Sequence, residues 1–357
     1  DTGVTVSLDA LADVDADELL AELGVGSAEV RRQLIDASGG IPLVLVEAAN
    51  LLDHDQRAGR GELPDPLPIG PSGQRAVDLV MQRLPASALR ALVTAASEPS
   101  GDLRRILGAL EQQGLGLTDL EDAEARGVIT LEGDALTFRH PLMRSAAYYD
   151  APRSDRRAAH RALATAMPPG SLERAWHLAR AAVAPDEHVA QALDDAAAEA
   201  LRRGSPSTAA RTWEQASRLS LRPGDRLRRL RLAAAALVDA GSSAAAGDLL
   251  DRADHIADEH PGDEPLTERI QRRRLRLRLP ASSGGRVESG AGLRALAREV
   301  HDAAPELAVD LLIDALAADI RSGAFAGMVA SVEAAGTRRD QVDADRRRRI
   351  DVIEGGL

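Results

Sequence analysis

Three glycines in the second half of the chain, Gly204, Gly241 and Gly323, are followed by residues at shared offsets, and nothing else in the sequence restricts the fold as strongly. Five residues on come Ala209, Ala246 and Met328; nine on, Trp213, Leu250 and Val332; twelve on, Ala216, Ala253 and Ala335. Gly204 and Gly241 lie 37 residues apart, close to the roughly 34-residue period of helix–turn–helix repeats. Small residues at a turn and in mid-helix let paired helices approach, and stacked pairs build a solenoid. From about Ser154 onward the chain is therefore expected to be helix–turn–helix throughout. The third glycine arrives late, after "PASSGGRVESGAG" (280–292), which reads as a mobile insertion.

The first half is punctuated differently. "DADELLAELGVGSAEVRRQLIDASGGIPLVLVEAANLLD" reads as three short helices. Ser27 is placed to cap the second, Gly39-Gly40 to end it, and Pro42 to open the third. Leu43, Leu45 and Val46, with Ala49 and Leu52, give that third helix an apolar stripe. Residues 57–73 hold four prolines and four glycines without periodicity, which marks a linker or exposed loop. From Gln74 to about Asp150 a compact unit is expected, with helices in "QRAVDLVMQRL", "PASALRALVTAAS", "GDLRRILGALEQQ" and "TDLEDAEARG". "VITLEGDALTFRHPLMRSAAYY" (128–149) then carries three of the six aromatics and alternates like a strand pair. A Gly133-Asp134 loop of the Gly-first kind predicts a tight hairpin with Leu131 opposite Leu136 and Ile129 opposite Phe138. Such a hairpin is unstable alone, and lying on preceding helices it makes a winged helix.

Composition excludes several activities. The formal net charge of −12 argues against general nucleic-acid affinity. The segment before the wing carries Asp119, Glu121, Asp122 and Glu124 against Arg126, which disfavours a groove-reading helix. All 44 basic residues are arginine, so neither a Walker A lysine nor Schiff-base chemistry is available. Without cysteine there is no disulfide or thiolate chemistry, and a reducing cytoplasm is the expected setting. No apolar run reaches the length of a membrane span. The histidines show no zinc spacing, and no Gly-x-Ser-x-Gly elbow occurs. The arginine runs "RIQRRRLRLRL" (269–279) and "ADRRRRID" read as solvated faces rather than phosphate strips. The first residue, Asp1, suggests an internal piece of a larger protein.

Two short motifs remain. Gly40-Ile41-Pro42-Leu43 joins a flexible turn to a proline-started helix, and Phe138-Arg139-His140-Pro141-Leu142 leaves the wing through a titratable side chain. Taken alone, the first is helix punctuation and the second a histidine capping a strand end. Together, "SGGIPLVLVEAANLL", a linker, "GVITLEGDALTFRHPLMRSAAYYDAPRSDRRAAHRALATAMP" and "ERAWHLARAA" resemble the LuxR-type large ATP-binding regulators of actinobacteria. These are signal-transduction (STAND) NTPases related to the maltotriose-responsive activator of enteric bacteria. The resemblance runs from about Leu8 to the end and is firmest between Ser38 and Ala181.

The resemblance implies a mainly α fold: 1–56 as the C-terminal helical part of an NTPase module, 57–73 as linker, 74–150 as winged helix and 151–357 as tetratricopeptide-like repeats. It implies that Gly40, Pro42 and Leu43 form a Gly-x-Pro element whose proline packs on adenine. It also implies that His140 contacts the nucleotide β-phosphate. The chain departs from the family plan in lacking Walker A, Walker B and the C-terminal DNA-binding helices. ATP or ADP is thus expected in the full-length protein, itself a slow ATPase, with none bound to this piece, which is not expected to be an enzyme. Expected partners are an unidentified inducer or protein on the repeats, DNA only through the missing domain, no membrane, and self-association on activation. The expected role is the sensor segment of a transcription regulator. The alternative is a free-standing helical-repeat scaffold for a protein partner, which flanking P-loop and helix-turn-helix sequences would exclude.

Overall fold

Capping chemistry sets the first helices of the computed structural model, which describes residues 10–59, 61, 63–279 and 286–355. Helices α1 (Asp13–Glu22), α2 (Ala28–Ser38), α3 (Pro42–Leu51) and α4 (His54–Arg57) gather around Leu20, Val30, Leu34, Leu45 and Ala49. The Ser27 hydroxyl accepts from the Val30 N–H at 3.4 Å. Gly39 and Gly40 end α2 at φ +62° and +72°, and Pro42 takes the first turn of α3, where a missing N–H costs nothing. The apolar stripe of α3 differs from the expected one. Leu43 is 55% exposed, and the buried positions are Val44, Leu45, Ala48, Ala49 and Leu52. The cause is that α3 serves two cores: Leu45, Ala48 and Ala49 face α1 and α2, while Val44 enters the core of the next domain. Two adjacent buried positions turn Leu43 outward.

That next domain is a winged helix. Helices α5 (Pro71–Met81), α6 (Ala86–Ala96), α7 (Leu103–Glu111) and α8 (Leu117–Ala125) precede strands β1 (Ile129–Glu132) and β2 (Ala135–Phe138), and α9 (Pro141–Tyr149) follows. Because α5 opens at Pro71, the last three residues of the 57–73 stretch are helical. The antiparallel register pairs Leu131 with Leu136 and Ile129 with Phe138, as alternation requires, and Gly133 turns the hairpin at φ +58°. The wing is anchored on one edge by the residues before α7. There the Leu136 N–H donates to the Gly101 carbonyl at 2.8 Å and the Leu103 N–H to the Asp134 carbonyl at 2.9 Å. Gly101 sits at φ +69° where a Cβ would strike the Leu136 carbonyl oxygen, so only glycine fits. On the other edge the Glu124 carboxylate accepts from the Leu131 N–H at 2.7 Å. Leu92, Ile106, Leu110, Leu120, Val128 and Ile129 form the centre of the core.

Helices α10 (Arg153–Ala166) and α11 (Leu172–Ala181) complete the first compact unit, which ends at Val183. Ala162 and Leu163 of α10 pack on Ala109 of α7.

The second unit begins at Ala184 and is a helical solenoid. Its helices are α12 (Glu187–Arg202), α13 (Pro206–Leu219), α14 (Pro223–Asp239), α15 (Ser243–Glu259), α16 (Leu266–Arg278), α17 (Arg286–Glu299), α18 (Pro305–Ser322), α19 (Phe325–Gly336) and α20 (Ala344–Glu354), each packed on the next. Gly204, Gly241 and Gly323 follow α12, α14 and α18 at φ between +72° and +79°. The offset residues fall on α13, α15 and α19, where all but half-buried Met328 are buried. Spacings of five, nine and twelve share one helical face, which explains the pattern. The stretch expected as a mobile insertion is different in its second part. Residues 286–292 are helical, while 280–285 lie outside the described residues. Its glycines serve close packing: a Cβ at Gly290 would meet the Asp319 carboxylate, and one at Gly292 the Leu277 side chain at 2.9 Å.

The arginine runs are also corrected. Arg272 is buried and paired with Glu264 at 2.8 Å, Arg274 pairs with Asp314 at 2.8 Å, and Arg346 pairs with Asp310 at 2.8 Å. The second unit thus uses guanidinium forks to tie α16 to the segment before it and both α16 and α20 to α18, not only as solvated faces. Among the described residues the chain is mainly helical with a single two-stranded sheet, and no helix is long and apolar enough to cross a membrane.

Candidate functional site

The turn between α2 and α3 is built around a buried hydroxyl. Ser38 donates to the Ile35 carbonyl at 3.1 Å and accepts from the Gly40 N–H at 3.2 Å. The Gly39 N–H donates back to Ile35 at 3.0 Å, and the Gly40 carbonyl accepts from the Leu11 N–H at 2.9 Å. A Cβ on Gly40 would lie 2.8 Å from the Leu11 carbonyl oxygen. Both backbone N–H groups of the glycine pair are therefore spent within the protein, and Pro42 has none. The turn offers an anion no backbone cradle.

His140 meets this turn from the other side. It caps α9: its Nδ1 accepts from the Leu142 N–H at 3.1 Å. A Cβ on Gly39 would come within 2.8 Å of the His140 Nε2, so the ring rests where only glycine leaves space. An Nδ1 that accepts is unprotonated, which fixes the neutral tautomer and places its hydrogen on Nε2. Burial holds the ring below the usual imidazole pKa, favouring that neutral form. Gly39, Gly40 and His140 are brought together. Pro42 and Leu43 open α3 beside them with exposed side chains. Chemically this is one N–H donor next to a small apolar surface.

Helix α9 carries further contacts that sequence reasoning did not find. Arg144 grips the Asp65 carboxylate with both guanidinium ends, at 2.5 and 3.2 Å. Tyr149 donates to the Pro66 carbonyl at 2.8 Å, and Arg180 of α11 to the Asp65 carbonyl at 2.8 Å. The 63–70 segment is thus held at its centre by side chains from α9 and α11. Tyr148 meets the His160 Nε2 at 2.9 Å, and the His160 Nδ1 meets the His177 Nδ1 at 2.8 Å. In that buried imidazole pair one Nδ1 donates and the other accepts. Burial is the main cause that drives both rings well below the ordinary imidazole pKa. One signal for His160 was present: it shares a helix face with Ala159 and Leu163, an imidazole on an apolar stripe. Among the described residues no group of three or more His, Asp or Glu is gathered to hold a metal.

No protein-family model matches the chain, and no curated protein matches it. Among solved structures it is similar to a signal transduction ATPase with numerous domains, carrying a tetratricopeptide repeat sensor, from Pyrococcus horikoshii. The two are 12% identical, with a TM-score of 0.37 over 93% of this chain and 54% of that one. The chain spans about half the length of that structural neighbour.

Proposed function

We propose that this chain is the regulatory middle segment of an ATP-dependent LuxR-type transcription regulator of the STAND class, working in the cytoplasm. Its repeats receive an inducer or protein partner, and its winged helix follows the nucleotide held by an NTPase domain. The observation that supports this most is the fixed tautomer of His140, whose Nε2–H is a donor at the glycine turn and has no protein acceptor among the described residues. A β-phosphate oxygen is the acceptor that such a donor suits, with Pro42 against the adenine. The chain itself is no enzyme in this reading. One donor without a backbone cradle or lysine leaves the triphosphate to the rest of the protein.

A hydrogen bond to a phosphate is worth about 1.5–3 kcal/mol. Its loss shifts a two-state switch by roughly 10- to 150-fold toward the open form. In the full-length protein His140→Ala should therefore activate a promoter reporter without inducer. His140→Asn separates the two roles of the ring, because asparagine is a good helix N-cap yet lacks the reach of Nε2. It should keep the melting temperature near wild type and still activate. If His140→Asn stays inducer-dependent while His140→Ala merely melts earlier, the ring is only a cap.

A further inference from the structure

A recess lies in the first unit, between α5, α6, the end of α9 and the start of α10. It is a cavity of about 520 Å³, within the range of roughly 300–1,000 Å³ typical of small-molecule sites. Met81, Leu89, Val93 and Ala147 give it an apolar floor. Asp78, Asp150 and Asp155 stand in its wall, with Arg90 as the one cation among the lining residues. Arg90 is exposed and its guanidinium turns away to the Gln113 carbonyl.

Two of these carboxylates are held together by one side chain. A single amide, Gln74, donates to Asp78 at 3.0 Å and also to Asp150, holding the two acids side by side. Neither they nor Asp155 has an ion-pair partner among the described residues, and Asp155 accepts only from the neighbouring Ser154 hydroxyl at 3.2 Å. Desolvation raises the Asp150 pKa, with repulsion from Asp78 adding to it and the Gln74 hydrogen bond opposing it. Each acid still has a free oxygen, since Gln74 occupies one on each. Two like charges held side by side at the solvent-facing rim of an apolar floor, Asp150 exposed and Asp78 half-buried, attract a cation that also brings apolar surface.

We propose that this cavity binds a small organic cation, an ammonium on an apolar body, with the ammonium between Asp78 and Asp150 and the body on Met81, Leu89 and Val93. The inference is independent of the nucleotide reading, since none of its residues touches the glycine turn.

Dansylcadaverine is a suitable probe, a naphthalene sulfonamide with a terminal ammonium whose fluorescence rises in apolar surroundings. With the full chain it should bind saturably, and its N-acetylated form, identical but uncharged, at least about tenfold more weakly. Asp78→Asn with Asp150→Asn should produce the same loss. Ala86→Trp, at an exposed position of the wall, should block the cavity and abolish binding. Circular dichroism melts confirm that the variants are folded. Absence of saturable binding, equal affinity for the acetylated probe, or wild-type affinity in either variant would each overturn the proposal.

Discussion

His160 and His177 are neutral because a charged imidazole there would be cut off from water, and this fixes how acid acts on the fold. Their folded pKa values are pushed down to about 3 and about 4, from an ordinary 6.5. A depressed base binds fewer protons folded than unfolded, so stability rises with pH. The contribution is complete above about pH 6.5 and is lost as pH falls toward about 4, with a limiting slope of about 1.4 kcal/mol per pH unit for each ring. Thermal melts from pH 7.5 to 4.5 should show a clear acid decline in the wild type. Replacing both rings by asparagine should flatten it, whatever that change does to stability at pH 7.5; an unchanged slope would mean that other groups dominate. At this scale the sequence was uneven. His140 stood out because a proline and a wing frame it. The imidazole pair did not, because its members are 17 residues apart on different helices and meet only through packing.

Elements were more legible than side chains. The hairpin follows from alternation and one glycine, and the α2–α3 turn from Ser38-Gly39-Gly40-Ile41-Pro42. The direction of α3 could not be read, since only the presence of two cores decides that Val44 faces inward and Leu43 outward. The same turn supplies a test. Gly39→Ala meets a backbone at φ +62° and puts a Cβ 2.8 Å from the His140 Nε2. The left-handed backbone alone costs about 1 kcal/mol for a residue with a Cβ. Displacing the cap of α9 adds about 1 kcal/mol. A drop of about 2 kcal/mol in unfolding free energy is expected from urea titration. A cost below about 0.5 kcal/mol would show that the ring moves aside freely.

For the molecule as a whole, the repeat offsets foretold a solenoid but not its ion pairs. An arginine run has the same appearance in sequence whether it faces water or a carboxylate two helices away. The buried Arg229 is the extreme case, meeting Glu187 at 2.7 Å, Asp194 at 3.3 Å and Ser220 at 2.6 Å, and no local pattern announces it. Asp194 also accepts from the Trp213 indole at 2.7 Å. Removing one partner of a buried ion pair leaves the other charge stranded, a loss of about 3–5 kcal/mol. Asp194→Ala should therefore unfold the second unit at markedly lower temperature. Calorimetry of the full chain checks this, and a profile unchanged from wild type would show that the Asp194 carboxylate carries none of that stability.

The carboxylate of Glu124 has a meaning for the chain in a crowded solution. An outward N–H on the free side of a strand is where a foreign strand would start to pair, and the wing has such a side along β1. At Leu131 that position is already taken by Glu124, which offers an incoming backbone a negative charge in place of a donor. At that position the wing offers an incoming strand no donor to pair with.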